Sequence, residues 1–78
     1  MNHGLKTWPE YFEKVITDEK RFEIRKNDRD FKVGDKLILI EFDPVTQKYT
    51  GRETERTIIY ILDKQPFVPV GYVCMSIE

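Results

Sequence analysis

The chain has 78 residues, 40% of them apolar and 13% aromatic, with 13 basic and 14 acidic side chains and a formal charge of −1. That length suits a single domain, 1–78, with a small core, and the apolar content is too high for disorder. The charge balance excludes a generic polyanion coat, which is strongly basic.

The lone cysteine, Cys74, excludes an internal disulfide and a cysteine metal cluster. The lone histidine, His3, lies too near the chain start to be a good partner for a nucleophile. No metal and no cofactor are expected. Without a signal-peptide pattern or a long apolar run, the expectation is a cytoplasmic protein off the membrane, with a monomer favoured.

His3-Gly4-Leu5-Lys6 predicts a first strand with Leu5 inward. Thr7-Trp8-Pro9-Glu10 has the form of a capping box, with Thr7 as N-cap and Glu10 reaching back to its amide. Pro9 is tolerated in a first helical turn. Trp8, Tyr11, Phe12, Val15 and Ile16 follow at helical spacing and predict a core-facing stripe on a helix of about three turns, with Trp8 at its rim. Asp18 suits a left-handed helix exit.

A strand is predicted over about residues 20–26. Phe22 and Ile24 alternate toward the expected core, and Arg21, Glu23 and Arg25 toward the other face. Asn27 to Asp30 has turn composition, and Gly34-Asp35 predicts a tight turn with positive φ at Gly34. Lys36 to Phe42 is apolar on both faces and is expected to be a central strand. Asp43 to Lys48 is a loop. Tyr49 to Leu62 is extended, with a bulge expected at Gly51.

Asp63 to Gly71 is irregular, and Gly71 to Ile77 forms a last strand with Val73, Met75 and Ile77 on one face. Trp8, Phe12, Val15, Phe22, Ile24, Leu37, Leu39, Ile59 and Val73 are the expected core. The order is strand, helix, strand, strand, long strand, strand. That makes a mainly β domain with one main helix between the first and second strands, and suggests a closed or nearly closed barrel.

Charge is unevenly spread. Residues 20–32 hold six basic and three acidic side chains, while the segments on either side are each net acidic. A local basic stretch suits one anionic ligand or a short nucleic-acid segment. There is no phosphate-cradling glycine loop and no metal-ligand spacing. The strongest constellation is Lys20, Glu23 and Arg25: a flexible cation, an acceptor and a planar fork, the three groups that fix a base or nucleotide. Lys6, Lys26 and Arg29 are added candidates for ligand or RNA contact. The competing reading is a solvated edge strand kept soluble by its charges.

Glu19-Lys20-x-x-Glu23-Ile24-Arg25 resembles the Gly-x-Lys-x-x-Glu-x-Arg signature of ASCH domains, which follows a helix. The Phe31-x-Val33-Gly34-Asp35 turn and the opening His3-x-Leu5-Lys6 match as well, and the resemblance covers nearly the whole chain. Asp18 stands where the signature usually has Gly, and Arg21 where a small residue is common. The resemblance implies a PUA-like β-barrel that binds RNA or a modified nucleoside.

Some small ASCH proteins resemble amidohydrolases that deacetylate N4-acetylcytidine with a Lys, a Thr and a Glu. Lys20 matches that Lys, the Thr position falls on Glu23, and the later Glu has no match. Lys20 and Glu23 are thus the catalytic candidates of a runner-up reading. A third reading is a phage or mobile-element accessory protein that acts by protein contact through a charged edge.

Overall fold

In the computed structural model, which describes residues 1–78, the elements run β1 (Asn2–Thr7), α1 (Pro9–Ile16), β2 (Phe22–Lys26), β3 (Lys36–Asp43), β4 (Lys48–Leu62) and β5 (Tyr72–Ile77). The mainly β chain with one helix between its first two strands is as expected. The five strands form one mixed sheet in the order β1-β3-β4-β5-β2. β1 runs parallel to β3, and every other neighbouring pair is antiparallel. β3 is an interior strand paired on both sides, as expected, with one face buried and the other half-buried, while β4 is the middle strand of the five.

The expected barrel is not closed by a backbone ladder: β1 and β2 are the two free edges. Side chains cross the seam between them instead. Arg25 Nη2 donates to the Lys6 carbonyl at 3.0 Å, and Arg29 Nη1 to the Gly4 carbonyl at 2.6 Å. These carbonyls lie on the edge of β1 that faces away from β3, where no strand supplies N–H donors.

The core is built from alternating faces. Leu5 of β1, Leu37 and Leu39 of β3, Ile58 of β4, and Val73, Met75 and Ile77 of β5 are buried, capped by Phe12 and Val15 of α1 and by Phe31. Each fully buried side chain of this size contributes about 1.5–3 kcal/mol relative to exposure. Of the expected core, Phe12, Val15, Leu37, Leu39 and Val73 are buried, whereas Trp8, Phe22, Ile24 and Ile59 are about half exposed.

Ile59 is displaced by a register shift between Ile58 and Tyr60, which turns Ile58 inward in its place. The helix stripe is narrower than predicted, because Tyr11 and Ile16 also remain half exposed. The helix has eight residues, shorter than expected, and its N-cap is Trp8 with no side-chain cap. Thr7 is instead buried as the last inward residue of β1, with its hydroxyl donating to the Leu5 carbonyl at 3.4 Å.

Asp18 (φ 63°) and Gly34 (φ 95°) adopt the expected left-handed conformations, and the β3–β4 ladder shifts register around Gly51 (φ 94°). Asp35, just past the Gly34 turn, is buried beside His3, whose Nε2 lies 2.8 Å from its Oδ2. The Met1 ammonium and the Lys32 amide also donate to the Asp35 carboxylate. The bond from His3, followed by those from the Met1 ammonium and the Lys32 amide, holds the Asp35 carboxyl at about 2 against the opposing effect of burial.

Candidate functional site

The faces of β2 are the reverse of those its apolar pattern predicts. Glu23 is 3% exposed while Ile24 is 52% exposed. The cause is register. β2 pairs antiparallel with β5, setting Glu23 opposite Met75 and Arg25 opposite Val73. Opposed residues share a face, and Met75 and Val73 are core residues, so Glu23 and Arg25 turn inward with them. Ile24, opposite Cys74, turns outward.

A buried carboxylate needs partners, and Glu23 has two. Lys20 Nζ donates to its Oε1 at 2.6 Å, and Arg25 Nε to its Oε2 at 3.0 Å. Lys20 reaches this position because the chain leaves α1 through the left-handed Asp18, with the Lys20 amide bonded to the Lys14 carbonyl. Lys20 Nζ also donates to the Phe22 carbonyl at 2.8 Å and lies 4.9 Å from the centre of the Phe22 ring. Arg25 reaches across the seam to the Lys6 carbonyl and the Thr7 hydroxyl. Each carboxylate oxygen of Glu23 is thus engaged by a cation of its own strand region, while one N–H of Lys20 and the Nη1 of Arg25 remain without a partner in the chain.

These groups floor a cleft of about 490 Å³ set across the seam between β1, α1 and β2. Lys6, Thr7, Trp8 and Tyr11 line one side, and Phe22, Ile24 and the Lys20–Glu23–Arg25 group the other. Trp8 and Tyr11 stack on each other with ring centres 6.3 Å apart. The exposed aromatics that the core prediction misplaced are therefore cleft walls. A volume of this size is in the range that holds a small ligand, and the lining combines flat apolar walls with a cationic floor.

Residues 2–77 match the family described as Domain of unknown function (DUF3850). The chain belongs to that family. It is also similar to an Escherichia phage P2 protein, "Uncharacterized 12.9 kDa protein in GpA 3'region", at 41% identity over 61 residues. The similar region is 78% of this chain and 54% of that protein, so the chain spans about half the length of the curated relative it matches.

In this family member the predicted site residues divide into two groups. Lys20, Glu23, Arg25 and Lys6 come together in the cleft. Lys6 places its ammonium 4.5 Å from the Phe42 ring centre and 5.8 Å from that of Tyr49. Lys26 and Arg29 lie outside the cleft, beside a smaller hollow. Trp8, Tyr11, Phe22, Ile24 and Thr7 were not predicted as site residues. The legible signal was an excess of large apolar side chains around the helix start and β2, more than so small a core accommodates. No group of His, Cys, Asp and Glu is placed to hold a metal ion. No helix is long and apolar enough to cross a membrane.

Proposed function

We propose that the chain binds RNA or a modified nucleoside, with one base held in the cleft. The observation that carries this reading is the pair of cations, Lys20 and Arg25, anchored by one buried carboxylate at the floor of an aromatic-walled cleft. A base is a flat apolar plate with a polar edge. Trp8, Tyr11, Phe22 and Ile24 meet the plate, and stacking on aromatic walls contributes about 1–3 kcal/mol per base.

The floor decides which edge is read. With Glu23 occupied by its own cations, the groups left to a ligand are donors. The edge they suit is rich in acceptors, such as the carbonyls of uracil or the O6 and N7 of guanine. This refines the reading in which Glu23 itself accepts from an exocyclic amine. A converging cation pair in a cleft also favours a ligand site over the flat, splayed edge that docking of a protein partner calls for. The fold belongs to the same proposal: a PUA-like, ASCH-type barrel whose seam is bridged by Arg25 and Arg29. A cytoplasmic monomer is its natural setting.

The test uses Trp8, the single tryptophan, which is half exposed in the cleft. Titration with each of the four nucleoside 5′-monophosphates and with short single-stranded RNA is expected to quench its fluorescence saturably. Lys20→Ala is expected to weaken binding about tenfold or more, the usual effect of losing a charged hydrogen bond. Absence of both quenching and calorimetric heat with all of these ligands refutes the proposal.

The runner-up, hydrolysis of an N-acylated nucleoside, is favoured by one further observation: Lys20, Glu23 and Thr7 all line the cleft. Lys20 is engaged as a donor to two partners, so base or nucleophile work requires it to leave them. Release of acetate from N4-acetylcytidine by the wild type and none by Lys20→Ala moves the assignment to the enzyme.

A further inference from the structure

The seam does not end at the cleft. Beyond Arg25 it opens into a second hollow of about 190 Å³, lined by Leu5, Arg25, Lys26, Asp28, Arg29 and Phe31. Arg25 belongs to both cavities. Both arginines of the seam donate to a backbone carbonyl of β1, Arg25 through Nη2 to Lys6, with its Nε held by Glu23, and Arg29 through Nη1 to Gly4. Those carbonyls are two residues apart on one strand, a separation of about 7 Å. That is comparable to the distance between successive phosphates of an extended single strand.

The anchoring leaves donors free. Arg25 Nη1 and Arg29 Nη2 have no partner in the chain, and Lys26 makes neither a side-chain hydrogen bond nor an ion pair. Asp28 is the one carboxylate at the hollow. Its Oδ1 is 4.0 Å from Arg29 Nε, and its side chain is exposed. Arg25, Lys26 and Arg29 against Asp28 therefore leave the hollow with a net positive charge.

We propose that the β1–β2 seam is a phosphate track, and that the ligand is a single-stranded oligonucleotide of at least two nucleotides. One base occupies the cleft, the phosphate between the nucleotides lies over Arg25, and the next nucleotide enters the second hollow at Lys26 and Arg29. The track rests on the cleft reading above and extends it from a nucleoside to a chain. A hydrogen bond from each guanidinium to a backbone carbonyl restricts its rotamers before a ligand arrives, which lowers the entropy lost on binding.

The experiment compares the four nucleoside 5′-monophosphates with the four 5′-phosphorylated homodinucleotides, using Trp8 fluorescence at several salt concentrations. The best dinucleotide is expected to bind about tenfold tighter than its mononucleotide, with a log–log salt slope steeper by about 0.7 for the added phosphate. Lys26→Ala is expected to bring the dinucleotide down to the mononucleotide's affinity and leave the mononucleotide unchanged, and Arg29→Gln to lower the dinucleotide's affinity. Arg29→Gln also removes a seam contact, so Lys26→Ala, which breaks no internal side-chain bond, is the deciding variant. Equal affinity and equal salt slope for the two ligand lengths overturn the track and leave the cleft reading standing. So does an undiminished dinucleotide affinity in Lys26→Ala. Failure of all eight ligands to bind overturns both readings.

Discussion

Glu23→Gln tests the inverted strand directly. The substitution keeps the side chain's volume and one acceptor, and removes the charge that faces Lys20 and Arg25. Removing one partner of a fully buried ion pair costs about 3–5 kcal/mol, because the other charge is left buried alone. Here the carboxylate is almost fully buried, but the Lys20 and Arg25 side chains are 18% and 27% exposed and keep part of their hydration. The amide oxygen of the introduced glutamine also keeps a hydrogen bond to one of them. The expected destabilisation is therefore about 2 kcal/mol, below the fully buried figure.

A domain of this length has about 4–12 kcal/mol in total, so the loss is large. It corresponds to a melting temperature lower by about 8–16 °C, or a urea midpoint lower by up to about 2 M. Thermal and urea unfolding followed by circular dichroism give both numbers. Had Glu23 projected into water, as the alternation of β2 suggests, the change would be within about 0.5 kcal/mol. A measured effect that small refutes the buried ion-pair geometry and, with it, the account of how the cleft floor is held.

Phe12→Ala is expected to destabilise by about 3–5 kcal/mol, since Phe12 is 1% exposed in the core, as urea unfolding will report. Ile24→Ala is expected to change stability by less than about 1 kcal/mol in the same assay, because half of its surface already faces water. Asp35 adds a pH dependence. Its folded carboxyl, held at about 2, lies below the ordinary value near 4, so its contribution is complete above about pH 4 and is lost as pH falls toward 2. Urea midpoints between about pH 2 and 6 are expected to fall in that window, and Asp35→Asn to flatten the fall. An unchanged slope in that variant assigns the acid sensitivity to other carboxylates.

Local chemistry settled much of this protein from its sequence. The strand and helix order followed from spacing and turn residues. So did the left-handed positions at Asp18 and Gly34 and the inward face of Val73, Met75 and Ile77, because each depends on a few neighbouring residues and steric rules. The grouping of Lys20, Glu23 and Arg25 was legible too, since a turn followed by a strand with alternate charges keeps them within reach. Tertiary structure decided what those charges do. Whether Phe22 and Ile24 or Glu23 and Arg25 face the core depends on pairing with β5, about 50 residues away in the chain, and a shift of one residue exchanges the two faces. The apolar pattern pointed one way. The register, stabilised by two cations on one buried carboxylate, went the other, and the displaced aromatics became the walls of a cleft.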